Sequence, residues 1–359
     1  MQLIQSIQAV RAFAALAIVW GHCRQEVLGT FSLYGFRPED FVIPPVFYNL
    51  PSSGIDAFFI ISGIIITTQC WNKFGDGAQW EFFKRRVTRL MPTYWTYFVI
   101  TAVWLLINEH AFAGKKMVTL YKFFCSILLI PVHDGVSYAG LILGQAWTLH
   151  FEIYFYFLVF IALFLPRKCL IPVVGGLIAL GSLGFFPHIP DFFMMGVMTS
   201  TLLFEVFFGV CIGALYAHGT RVPAWVCHVA LVLSAILYIQ AYNWPLPIAR
   251  AFQWGTPAAF MVFGLLFLER LGRLRVPKLL VDLGTSSYSI YLAHVTIILI
   301  VGRILYELGV VRFFQADIFV GLCTAISFAI GHWLCLRMDK PLAGAMRGLV
   351  MGQQNKAER

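Results

Sequence analysis

Charge is what this chain has least of. Only 12% of its 359 residues are Asp, Glu, Lys or Arg, whereas a soluble domain carries about 25%. A water-soluble globular fold is therefore excluded. The eight cysteines include no CxxC pair and are scattered, mostly in or near apolar runs. That pattern gives neither a disulfide framework nor a zinc site, and no metal is expected. Such cysteines read as small hydrophobes. No low-complexity stretch or linker divides the chain, so 1–341 reads as one transmembrane domain and 342–359 as a tail. No inverted pair of short, Gly/Pro-broken spans is evident, which weakens a transporter reading. The N-terminal apolar run carries Arg11 and bulky residues without a small-residue cleavage pattern, so it reads as a first span and not a signal peptide.

What the chain has instead is apolar length. It is 60% hydrophobic, with a mean hydropathy of +0.79. Runs of spanning length recur nearly throughout. They are too long and uniform for barrel strands, so the expected class is an all-α polytopic membrane protein. Spans fall near 6–26, 54–71, 93–109, 145–165, 169–186, 196–217, 224–242, 250–268, 284–305 and 316–337. A further run near 121–132 is too short to cross comfortably and reads as a re-entrant or interfacial helix. With that run not crossing and the N-terminus cytoplasmic, 17 Lys and Arg residues lie inside and eight outside. A crossing would put the basic 270–278 loop and the C-terminus outside, against the positive-inside rule. About ten transmembrane helices with both termini cytoplasmic is therefore the expected topology. The net charge of +9 reflects that bias and attraction to anionic lipid; nucleic acid is not an expected partner.

Ionisable residues inside the apolar runs mark candidate sites. Arg11 and His22 are eleven residues apart in the first span. At about 100° and 1.5 Å per residue they share one helix face, roughly 16 Å apart along the axis. Asp56, at the start of the second span, is expected at about the depth of His22, either as an N-cap or as a carboxylate that orients the imidazole. Arg86 and Arg89, three apart in a basic amphipathic stretch, form a lipid anchor or a clamp for a diphosphate. Glu152 lies a few residues into a span, where it needs a partner or a wet cavity. Trp147 and the nearby tyrosines suit an aromatic belt, with Trp147 also a candidate for stacking on a sugar. His150 is about 200° around the helix from Glu152, so the two need not act together. His294 lies mid-span, bonded to a neighbouring helix or part of a site. Glu205 is a further buried acid with no evident partner in the sequence.

Several of these pieces occur together in one order. They are Arg11 to His22, Gly-Ile-Asp-x-Phe-Phe-x-x-Ser-Gly at 54–63, and Arg-Arg-x-x-Arg-x-x-Pro at 85–92. Then come Trp-Thr-Leu-x-x-Glu at 147–152, Ser-Tyr-Ser-x-Tyr-Leu-x-His at 287–294, and Asp339-Lys340-Pro341. The ordered set resembles the acyltransferase-3 family of integral membrane proteins, and the opening Gln5–Arg11 is similar to its exopolysaccharide-production branch. His150 departs from that branch, which more usually has Asn there. The resemblance implies transfer of an acyl group, most often acetyl, from cytoplasmic acetyl-CoA to a carbohydrate or glycolipid hydroxyl. The setting implied is the bacterial inner membrane, with polysaccharide-assembly proteins as possible partners. His22 is then the base or a transiently acylated nucleophile. Asp56 or Glu152 orients it, while Arg11, Arg86 and Arg89 face the donor. Trp147, His150, Tyr291 and His294 are candidates for binding the acceptor. No fused hydrolase-like domain is expected, which suggests that transfer is completed within the membrane domain. Two readings from other classes stand beside this one: a transporter or flippase of a lipid-linked saccharide, and a structural subunit of an assembly complex.

Overall fold

The structure is a computed structural model that describes residues 3–28, 40–43, 52–75, 77–108, 118–131, 141–183 and 194–352. The described residues are helical, with no strand. In chain order the helices are α1 (Gln5–Leu28), α2 (Ser52–Cys70), α3 (Ala78–Ile107), α4 (Leu120–Ile127), α5 (Trp147–Ala162), α6 (Leu170–Ser182) and α7 (Met195–Met198). They continue as α8 (Leu203–His218), α9 (Ala224–Asn243), α10 (Thr256–Arg270), α11 (Lys278–Glu307), α12 (Ala316–Leu334) and α13 (Lys340–Gly352). Each expected span has a helix at its place. Seven are long and apolar enough to cross a membrane, and α8 is a shorter apolar helix. The expected loops carrying Arg37, Lys115 and Lys116, and the last residues of the tail, lie outside the described residues.

Three boundaries differ from the sequence expectation. The basic stretch before the third span is no separate anchor: it continues through Pro92 into the span as one 30-residue helix. Single π-helical turns precede α10 (Ala251–Gly255) and follow α12 (Cys335–Asp339). The tail then begins as α13, which packs on α3.

The short run near 121–132 forms α4, whose eight residues give about 12 Å of helix, far short of a span. Its last turn is held by the middle of α3. Tyr94 Oη donates to the Ser126 carbonyl at 2.5 Å, and Trp95 Nε1 donates to the Ile127 carbonyl at 2.9 Å. Trp95 lies twelve residues before the end of α3, so α4 dips about 18 Å along that helix. Backbone groups at such depth need protein partners, and these side chains supply them.

Close crossings set the register of the bundle. A Cβ on Gly209 in α8 would lie 2.0 Å from the Ile60 carbonyl of α2, and one on Gly284 in α11 would lie 2.0 Å from the Gln8 carbonyl of α1. Small residues let membrane helices touch backbone to backbone in this way. The start of α1 is tied down by Glu269, at the end of α10. Its carboxylate accepts the Gln5 and Ser6 amides at 2.7 Å and the Ser6 hydroxyl at 2.5 Å. These amides would otherwise be unpaired at the helix N-terminus. Basic residues gather at this same end. Arg167 lies over Trp71 at 5.1 Å, and Arg270 donates to the Tyr216 carbonyl at 2.7 Å.

Candidate active site

The site grows from the pairing of α1 with α11. Pinned at Gln8 and Gly284, the two helices run side by side, and successive turns of α11 bring Ser287, Tyr288, Tyr291 and His294 toward α1. At the lower level Arg11 lines a narrow central cavity of about 90 Å³ with Ser62, Arg89, Thr148, Glu152 and Tyr288. Arg89, Glu152 and the Cys335 thiol are the electrostatic neighbours of Arg11, and Arg11 Nη1 donates to Gln8 Oε1 at 3.3 Å. Glu152 accepts a hydrogen bond from the Tyr156 hydroxyl. Two guanidinium groups against one carboxylate leave this cavity with an excess of positive charge. That suits an oxygen on which negative charge develops.

Arg89 also lines a second space. At the basic end of the bundle a cleft of about 850 Å³ is walled by Gln69, Asn72, Lys73, Glu81, Arg85, Arg86 and Arg89, with Glu81 paired to Lys73 and Arg85. The two arginines that the sequence pairs are therefore held differently. Arg86 is 5% exposed. It donates to Gln69 Oε1 at 2.6 Å and lies over the rings of Phe82 and Tyr156, at 5.3 and 5.5 Å. Arg89 is exposed and is common to both spaces. The cleft and the central cavity thus share this arginine as a wall residue.

His22 stands above this cavity. Its ring meets His294 edge-on, with centroids 5.1 Å apart and planes at 65°. Between the levels stand the rings of Phe58 and Tyr291, 6.1 Å apart. Tyr291 Oη donates to the Gln145 carbonyl at 2.8 Å and is 3.0 Å from Thr148 Oγ1. Its proton is thus committed to Gln145, and Thr148 is the donor of the second bond.

Asp56 does not sit where the sequence places it. Gly54 packs on the Ala14 carbonyl and on Ile18. The first turn of α2 therefore meets the middle of α1, and even Ile18 is about 6 Å short of His22 along the axis. The Asp56 carboxylate is taken by Arg250 Nη2, at 3.0 and 3.1 Å to its two oxygens, and Glu205 lies beside it. The expectation that Asp56 shares the depth of His22 fails because α2 starts well inside the bundle. Glu152 lies with Arg11, Arg89 and Tyr156. Trp147, half-buried, packs against Phe151 at 5.7 Å. His150 is buried, and its Nε2 has no hydrogen-bond partner.

The family model for an acyltransferase domain matches residues 4–336. The chain belongs to the acyltransferase-3 family. It is also similar to the exopolysaccharide production protein ExoZ of Rhizobium meliloti (strain 1021). The two are 28% identical over 315 residues, which is 86% of this chain and 96% of the relative. No solved structure matches the chain. The sequence of this acyltransferase-3 chain does not single out Gln69, Gln145 or the pairing role of Arg250, and Tyr288 stands in it only as a motif position. Gln69 and Gln145 are neutral residues in or beside apolar runs and give no signal alone. Arg250 did give one: two buried acids, Asp56 and Glu205, require a cation, and Arg250 opens the apolar run that follows.

Proposed function

We propose that this membrane acyltransferase moves a short acyl group, acetyl, from cytoplasmic acyl-CoA to a hydroxyl of an exported carbohydrate. The observation that carries the reading is Arg89 lying on both the basic cleft and the central cavity. A donor whose phosphates rest among Lys73, Arg85 and Arg86 can extend its thioester past Arg89 toward Arg11. Ten spans with both termini cytoplasmic put the cleft on the side where acyl-CoA is found. The same topology puts His22 toward the outer side, in the bacterial inner membrane. The narrow cavity suits an acetyl group better than a long chain. The name of the relative supports an exopolysaccharide as acceptor.

In this reading the acceptor oxygen attacks the thioester carbonyl carbon. His22 takes the hydroxyl proton, an imidazole being suited to proton transfer near neutral pH. Arg11, a level below His22 on α1, grips the donor and places its thioester for that attack. The carbon–sulfur bond breaks, and the CoA thiolate leaves and takes up a proton as CoA thiol. A variant route acylates His22 first and passes the group on.

Radiolabelled acetyl-CoA, purified protein in nanodiscs and an exopolysaccharide-derived acceptor test the proposal. Label should pass to the glycan. His22→Ala should lose about 10²- to 10⁴-fold in rate while CoA still binds. Near-normal glycan acylation by a well-folded His22→Ala protein would remove His22 from the mechanism. No label transfer by the wild-type protein, with saccharide movement instead, would favour the flippase.

A further inference from the structure

We propose that His294 holds His22 in its reactive tautomer, taking the place that a carboxylate fills in a hydrolytic triad. The inference rests on the reading of His22 as the base. It starts from the hydrogen bonds of His294 itself. Its Nδ1 is bonded to the Tyr291 carbonyl one turn earlier on α11. A carbonyl only accepts, so Nδ1 carries the ring proton and Nε2 is left as a bare lone pair. That Nε2 has no hydrogen-bond partner, and the residue is fully buried. A buried acceptor facing no donor is costly to keep.

The neighbouring rings narrow the choice of donor. Tyr291 stands 5.7 Å away, but its hydroxyl proton goes to Gln145. The other ring is His22, edge-on at 5.1 Å. An imidazole N–H at the edge of His22 is the donor that His294 Nε2 lacks. Once one nitrogen of His22 donates to His294, the other must carry a lone pair, and this is the form of a base.

The two carboxylates that the sequence offers for this work are engaged elsewhere. Asp56 is held by Arg250, and Glu152 accepts from Tyr156 beside the central cavity. A neutral orienting group also fits the surroundings, because a second buried charge beside His22 would add a desolvation cost inside the membrane. His294 is thus a positioning residue. It touches neither donor nor acceptor, and the proton of the acceptor hydroxyl still passes to His22.

The test compares His294→Gln, His294→Asn and His294→Phe with His22→Ala, each purified in nanodiscs. The readouts are kcat, KM for acetyl-CoA and thermal unfolding. Glutamine can bring an amide oxygen to about the position of Nε2, asparagine is too short to reach it, and phenylalanine removes the acceptor. The phenylalanine and asparagine variants should lose about 10²-fold or more in kcat at an unchanged KM for acetyl-CoA, and glutamine should recover at least tenfold over asparagine. The Gln-to-Asn ratio stands even where the phenylalanine variant fails to fold. Equal rates for Gln and Asn would overturn the proposal, as would a folded His294→Phe protein with near-normal kcat beside an inactive His22→Ala. An active His22→Ala would instead overturn the reading beneath it.

Discussion

Arg250→Met should unbalance the buried charges at the start of α2. Asp56 is fully buried, and both its oxygens face Arg250 Nη2, at 3.0 and 3.1 Å. Glu205, also fully buried, is a second acid beside it. Removing the guanidinium leaves two acids facing each other in a low-dielectric interior. Breaking a buried pair by deleting one partner costs about 3–5 kcal/mol. The Arg250 side chain is 37% exposed, so water already screens its end of the pair, and an expected loss of about 2–4 kcal/mol follows. Thermal unfolding in detergent should show a clear fall in Tm. A cycle with Asp56→Asn isolates the pair, since Asn keeps the shape and drops the charge. Arg250→Met should cost much less on that background, with a coupling above about 1 kcal/mol. Activity separates two roles for Asp56. An orienting partner of His22 would make Asp56→Asn inactive in a stable protein. A structural partner of Arg250 makes Asp56→Asn less stable, with kcat per folded molecule nearly retained. An unchanged Tm for Arg250→Met, or strict additivity with Asp56→Asn, would refute the reasoning.

Arg89→Ala should weaken acyl-CoA binding by about 1.5–3 kcal/mol, roughly 10- to 150-fold in Kd by titration calorimetry, through lost charge-assisted bonds. It should also slow turnover, because Arg89 lines the central cavity. Arg86→Ala should lose both affinity and stability, since it abandons Gln69 and the rings of Phe82 and Tyr156. Unchanged CoA affinity in both variants would leave these arginines only a lipid-anchoring role. Reporter fusions after Lys278 and at the C-terminus should read cytoplasmic, and one at Asp134 external. An external C-terminus would reverse the sidedness of the donor cleft.

The apolar runs made the helices legible because a membrane demands length and composition more than detail. The shared face of Arg11 and His22 was legible for a similar reason, since helical periodicity within one span needs no knowledge of its neighbours. What the sequence could not show was level. Placing Asp56 beside His22 assumes that α1 and α2 begin at opposite membrane surfaces and match in depth. Gly54 instead seats the first turn of α2 on Ala14 and Ile18. That sets Asp56 below His22 and within reach of Arg250, a residue which counted only toward topology when read as a loop charge. The pairing of His22 with His294 is settled by the same kind of contact. Gly284 fixes α11 against Gln8. From that point His294 lies ten residues up α11 and His22 fourteen up α1, about 15 and 21 Å of rise. Those heights differ by about one helical turn, a gap that tilt and side-chain reach can close. A Cβ at residue 284 would push the helices apart at the pin. It would therefore disturb the histidine pair from about three turns away on α11 and about four on α1, without touching either ring.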